Sequence, residues 1–338
     1  KIDMWKSFFT DRKWMFWCYG GGSLILVLIV FQTWLSVQFN TWYGSFYDLL
    51  QKPPEKGGLE KFYERLTFFL YLAIPYVTTI SFTNWFTRMW TFRWREAITF
   101  SYMPYWRNVD AKVEGASQRI QEDCRDFANI VENIGLDIVR ALMTLIAFLP
   151  ILWALSENVV APYLENVSGS LVWVALIVSL GGLTISWFVG IKLPGLEYNN
   201  QKAEAAFRKE LVYGEDDRIR YALATSILKL FTGIRFNYHR LFLHYGYFDL
   251  WSILYRQIFV IVPFIIMGPG LFTGAYTLGI MMRAVNAFGE IKDAFNVFLY
   301  NWVQINRLRS IHKRLSEFEK AIGFNKPLRK ARKSDVRA

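Results

Sequence analysis

Six apolar runs dominate the sequence, each close to the ~20 residues that carry an α-helix across a ~30 Å hydrocarbon core. They cover 15–35, 67–86, 134–155, 171–189, 250–271 and 276–303, the last growing more polar as it proceeds. In lipid every backbone N–H and C=O needs an internal partner, so runs of this length form helices. The first run is too long for a signal peptide and no small-residue cleavage site follows it, so it reads as a retained anchor. The fold class expected is an all-α, polytopic helical bundle of about six spans. Composition agrees: 53% of the 338 residues are hydrophobic and 20% are charged, where a soluble domain has about 25% charged.

The net charge of +11 gains meaning from its placement. Of 39 Lys and Arg, 31 fall in 1–13, 87–133, 190–249 and the stretch after Asn306. Four (Lys52, Lys56, Lys61, Arg65) fall on the alternate side, and four (Arg140, Arg256, Arg283, Lys292) lie within spans. Cytoplasmic loops are the Lys/Arg-rich ones, so both termini and both long loops are expected in the cytoplasm. The basic balance therefore points to a membrane rather than to nucleic acid. The expected organisation is a membrane domain over 1–305 with cytoplasmic extensions at 87–133 and 190–249 and an external cap at 36–66. A basic tail, able to meet anionic lipid headgroups, occupies 306–338.

The long loops read as helices that leave the membrane. Val113, Ile120, Phe127, Ile130 and Val131 recur at helical spacing in one. Strong helix formers fill 196–212 in the other. Their carboxylates can be placed by helical geometry: at 100° per residue, steps of seven and eleven return to nearly the same face. Glu197, Glu204 and Glu215 are so spaced and share a face if the helix runs unbroken past Gly214. Glu114 and Glu132, 18 apart, also share one. Glu122 and Asp126 form an i, i+4 like-charge pair, which costs a few tenths of a kcal/mol unless compensated. Spacing alone leaves two readings open. One is a solvated face partnered by Lys and Arg. The other is a line of protonatable groups along a wet cavity, where like charges and partial desolvation would raise their pKa values.

Ionisable residues within spans usually face a bundle interior or an aqueous path. Asp137 and Arg140, three apart, can pair. Asp249, Ser252 and Arg256 make a polar stripe, and Arg283, Asn286, Glu290 and Asp293 share one face of the sixth run. Arg256 and these four are the candidates to line a cavity. Glycines at 20–22, 181–182 and 190 point to close helix packing, and Trp42, Tyr43, Phe46 and Tyr47 to an interfacial belt. No phosphate-binding G-x-x-x-x-G-K-[ST] occurs, and the ~30 residues after the sixth run are too few for a nucleotide-binding domain. Three histidines and two cysteines supply no metal framework or nucleophile arrangement, so neither an enzyme nor a metal site is expected.

The segments EGASQRIQED (114–123), MTLIAFLPIL (143–152) and GIKLPGLEYNNQKAEAAFRKELVYGEDD (190–217), with WYGSFYDLLQ (42–51) and FRWREA (92–97), resemble the SbmA/BacA peptide-transporter family of Gram-negative inner membranes. The likeness runs from about Phe39 to Phe318. It implies an ABC-exporter-like membrane fold without an ATPase domain. It further implies a homodimer around a central cavity and proton-driven import of varied peptides, with protons as the coupling ion and no other cofactor. By motif it assigns proton coupling to Glu122, Glu132, Glu204 and Glu215, with Glu114 and Glu197 as neighbours. The competing expectations are a membrane half served by a separate ATPase subunit and a non-transporting membrane scaffold.

Overall fold

Long apolar runs flanked by good helix formers give long helices, and the computed structural model of the chain is built from them. It describes residues 4–109, 113, 115–157, 167–221 and 223–324. Glu114, residues 158–166 and the basic sequence from Lys326 lie outside the described residues. In order the helices are α1 (Lys6–Phe9), α2 (Gly22–Gln51), α3 (Gly58–Arg107), α4 (Ala116–Gln118), α5 (Cys124–Ser156), α6 (Ser170–Gly190), α7 (Leu193–Asp216), α8 (Arg218–Tyr221), α9 (Ala224–Phe272), α10 (Leu278–Tyr300) and α11 (Trp302–Ala321). π-Helical turns at Phe16–Gly21 and Arg119–Asp123 lead into α2 and α5. No strand occurs among the described residues.

Five of these helical stretches are long and apolar enough to cross a membrane: Phe16–Gln51, Gly58–Arg107, Ala116–Ser156, Ser170–Asp216 and Ala224–Phe272. They hold the first five expected spans. At 1.5 Å per residue the 50-residue α3 is about 75 Å long, more than twice the hydrocarbon thickness, so it leaves the bilayer as the loop reading expects. Large apolar side chains such as Phe16, Val27, Tyr71, Ile74, Phe188 and Ile265 stand more than half exposed. In water such a surface would be an interaction patch; here it is the face offered to lipid.

The chain divides into two units. One comprises Lys1–Asn158 and Gly270–Ala338, and it is organised around two cores. At one end Met4 and Phe8 pack with Trp94, Ile98 and Tyr102 of α3, Phe127 of α5, and Ile311, Leu315 and Phe318 of α11. The Phe8 and Trp94 rings stack at 5.8 Å. Glu319 accepts hydrogen bonds from the Met4 backbone N–H at 2.8 Å and the Tyr102 hydroxyl at 2.7 Å. The 306–338 stretch, expected as a tail, is thus a packed helix over its described part.

At the opposite end α2 and α3 are joined by a turn in which Gly57 takes φ +73°, a conformation open to glycine at little steric cost. No separate cap forms over 36–66, because both helices continue to the turn. Trp42, Tyr43 and Phe46 pack inward with Leu35, Phe69 and Leu72 rather than forming only a belt. The Trp42 indole N–H donates to the Arg65 carbonyl at 2.8 Å, giving a buried polar atom its partner. α10 packs against both α2 and α5.

The other unit, Val159–Pro269, contains α6 to α8 and most of α9. The Tyr255 ring of α9 lies against Gly182 of α6, and the Trp251 indole N–H donates to the Ser186 hydroxyl at 2.8 Å. Phe207 of α7 meets Phe231 of α9 with ring centroids 5.9 Å apart.

Candidate functional site

The expected coupling glutamates divide between the two units. Glu132 lies on α5 where it meets α3. It is half-buried, and the Thr87 and Thr91 hydroxyls of α3 are near enough to act on its carboxyl. Arg140 and Asp137, further along α5, are near enough to act on its charge. Thr87 and Thr91 are 4% and 3% exposed, so the α3 side of the carboxyl is shielded from water. Both hydroxyls donate to backbone carbonyls on their own helix, Asn84 O at 3.1 Å and Thr87 O at 2.8 Å. A hydroxyl has one proton to give and two lone pairs to accept with. Each threonine can therefore donate to a carboxylate, or turn its proton to α3 and accept from a carboxylic acid.

Glu122 is exposed on the π-helical turn and accepts from the Gln118 side-chain amide at 3.1 Å. α7 runs unbroken through Gly214 to Asp216, so Glu197, Glu204 and Glu215 do belong to one helix. Glu197 and Glu204 are half-buried and Glu215 is exposed.

The structure also brings forward a carboxylate that sequence reasoning passed over. Asp123 is 3% exposed and is gripped by two guanidinium groups. Arg314 of α11 donates at 3.0 and 2.6 Å, and Arg119 at 2.7 Å. Burial alone would push its pKa up, but the hydrogen bonds and charges of Arg314 and Arg119 outweigh it and hold the carboxyl below its ordinary value. Asp126 is paired by Arg125 and by Arg307 of α11, which compensates the like-charge neighbour Glu122. The only sequence signal was a run of acids opposite a run of bases, some 190 residues apart.

Two expectations about the span residues change. Asp137 and Arg140 form no ion pair among the described residues: Asp137 instead accepts from the Asn301 side-chain amide at 3.0 Å, and the Arg140 Nε is buried without a partner. On α10, Arg283, Asn286 and Glu290 are half-buried, while Asp293 is exposed and pairs with Lys292 at 3.4 Å. Arg256, on α9, is exposed. Among the described residues no group of His, Cys, Asp and Glu could hold a metal ion.

Together these features define a polytopic helical membrane protein, with charged residues gathered in helix seams and along helices longer than a bilayer is thick. The chain belongs to the SbmA/BacA-like family, whose model matches residues 11–323. It is also similar to the inner membrane ABC transporter ATP-binding protein YddA of Escherichia coli, with 24% identity over 88% of this chain and 55% of that protein. ABC transporter D family member 2, chloroplastic, of Arabidopsis thaliana is 24% identical over 90% of this chain and 43% of its own length. An uncharacterized ABC transporter ATP-binding protein of Haemophilus influenzae is 22% identical over 90% and 57%. The chain thus spans about half the length of these curated relatives.

Proposed function

We propose that this chain is a proton-driven importer of peptides in a bacterial inner membrane. It works by alternating access as a homodimer, with both termini in the cytoplasm and surrounding lipids as its other partners. Glu122, Glu132, Glu204 and Glu215 carry the coupling protons, and no further cofactor or enzymatic step is involved. The observation that carries this reading is the seam around Glu132. The Thr87 and Thr91 hydroxyls, which act on its carboxyl from α3, donate to backbone carbonyls of their own helix; each keeps a lone pair to accept from a protonated carboxyl and can turn its proton toward an ionised one. A gradient can drive a cycle only when the two access states differ in proton affinity. A hydrogen-bond set that accommodates both forms keeps neither from being reached. Cationic peptides suit a cavity lined by glutamates.

The test is uptake of a fluorescent peptide into proteoliposomes under an imposed pH gradient without ATP. Uptake is expected to follow the gradient. Glu132→Gln and Glu204→Gln are expected to reduce it on the order of tenfold or more, the loss of a proton-transfer group typically costing 10²–10⁴ in chemical catalysis. Wild-type rates in both variants at normal protein levels would overturn the coupling assignment. The names of the relatives favour a second reading, a membrane half served by a separate ATPase subunit. That reading requires vesicles inert to the gradient and activated by a nucleotide-binding partner with ATP. A non-transporting scaffold requires no uptake in either case.

A further inference from the structure

The seam between α2 and α10 holds polar groups that the coupling glutamates leave unexplained. The two helices approach to backbone contact. A Cβ on Gly279 would meet the Gly44 carbonyl oxygen, and the Arg283 side chain lies where a Gly44 Cβ would stand. At the start of α10, Asp48 Oδ1 accepts the Gly279 N–H and Gln51 Oε1 the Leu278 N–H, both at 2.8 Å. Residue 48 therefore lies by 279 and residue 44 by 279–283. The helices run antiparallel, and the same register carries residue 40 to the turn 283–287.

At that level the seam is rich in donors and short of acceptors. Asn40 is 3% exposed, and neither atom of its amide has a hydrogen-bond partner. The Arg283 Nε and the Asn286 Nδ2 are likewise buried without partners. Arg283 makes no ion pair among the described residues. The nearby Asp48 is already engaged at the first turn of α10. A guanidinium and two side-chain amides at one level suit a planar anion with two acceptor oxygens, which an arginine fork matches in bidentate fashion.

A second feature selects the kind of anion. Glu290 lies seven residues beyond Arg283, so it shares that face of α10 about 10 Å further along. It too is half-buried and makes no ion pair among the described residues. An inorganic anion would leave this acid unmatched. A short peptide with free ends carries a carboxylate at one end and an ammonium at the other. Capture of a chain terminus by dedicated donors is a known recognition mode.

We infer that α10, with Asn40 of α2, forms a site for the free ends of a short peptide: the carboxyl terminus at Arg283, Asn40 and Asn286, the amino terminus toward Glu290. This deepens the import reading and rests on it. The site lies toward the end of the unit bearing the 52–57 turn, the side expected to face outward, where an arriving peptide would first be held.

The experiment uses the full chain in proteoliposomes and a tripeptide labelled on a central lysine side chain, in free, carboxyl-amidated and amino-acetylated forms. Binding and gradient-driven uptake are both measured. The free peptide is expected to bind on the order of tenfold tighter than the amide, about the strength of one charge-assisted contact. Arg283→Gln is expected to abolish this preference and Arg283→Lys to restore part of it. Asn286→Ala, a smaller change that guards against misfolding of the arginine variant, is expected to narrow it. Glu290→Gln is expected to erase the preference over the acetylated form alone. Equal binding and uptake of free and amidated peptide would overturn the site and leave import standing. A preference that survives Arg283→Gln in folded protein would do the same. Uptake of neither form under a gradient would overturn import, and the site with it.

Discussion

At the scale of single residues, an acid bonded by two guanidinium groups lies outside the set of coupling glutamates. Asp123, the last residue of the π-helical turn before α5, ties that turn to α11 through Arg314 and braces it internally through Arg119. Its folded pKa lies below the ordinary value, and that fixes the sign of its pH dependence. Its contribution to stability is fully present above the unfolded carboxylate pKa of about 3.9 and is lost as pH falls through the lower folded value. Asp123→Asn keeps the volume and removes the charge. Hydrogen bonds to charged groups contribute about 1.5–3 kcal/mol each. Arg314 is partly open to solvent, with 36% of its side chain exposed, so the loss is expected near the lower figure. Thermal unfolding of the purified protein in detergent should show a lower midpoint for the variant. The difference from wild type should stay flat between about pH 5 and pH 8 and shrink only below about pH 4. A difference that instead grew on acidification would remove Asp123 as the charged member of this clasp.

At the scale of elements, close approach at glycine decides which helices sit together. Neighbouring glycines of α6 make the contrast within one turn. A Cβ on Gly182 would run into the Tyr255 ring, while a Cβ on Gly181 meets nothing within 4 Å. Overpacking a filled site typically costs 1–3 kcal/mol, whereas Ala for Gly at an open helical position is favourable by roughly 0.5–1 kcal/mol. Gly182→Ala is therefore expected to lower thermal stability in detergent and Gly181→Ala to hold or raise it; equal effects would mean that the Tyr255 contact does not set this packing. The glycine pair was legible in the sequence, but which of the two bears the contact was not, since Tyr255 lies 73 residues on. The same division runs through the fold. Helix existence is local, and the apolar runs and the α7 spacing display it. Helix partnership is not local: Gly44 and Gly279, or Asp123 and Arg314, meet only after the intervening helices have packed. α11 was legible in principle, because Ile311, Leu315, Phe318 and Ile322 recur at steps of four, three and four. Its many basic residues made it read as a solvated tail. The Asp137–Arg140 pair failed for a related reason: residues three apart can meet along a helix, but Asn301 of another segment reached Asp137 instead.

At the scale of the whole molecule, the contact between Met4 and α11 constrains the number of membrane crossings. Met4 is hydrogen-bonded to Glu319, so the N-terminal segment and α11 lie on one face of the bilayer, which an odd number of crossings could not produce. Five stretches qualify as spans by length and composition; with one crossing each, a sixth is needed to return the chain to that face, and α10 is placed to make it. It starts beside Gln51 at the far end of α2 and leads to Asn301, bonded to Asp137, and on to α11 in the terminal core. Its 23 residues rise about 34 Å, enough to cross a ~30 Å core. Its charged residues exclude it from a hydropathy criterion, yet packing against α2 and α5 covers Arg283 and Glu290 in part and spares them from lipid. This predicts a labelling pattern with single cysteines and a membrane-impermeant thiol reagent. Asp11→Cys and Arg309→Cys should react from the same side, expected to be the cytoplasm, and Lys56→Cys from the other. The native Cys18 and Cys124, 3% and 0% exposed, should stay silent in folded protein, and serine replacements at both provide the control. Reaction of Asp11→Cys and Arg309→Cys from opposite sides would mean that α10 does not cross, and would remove the geometric basis for a peptide site on its outward half.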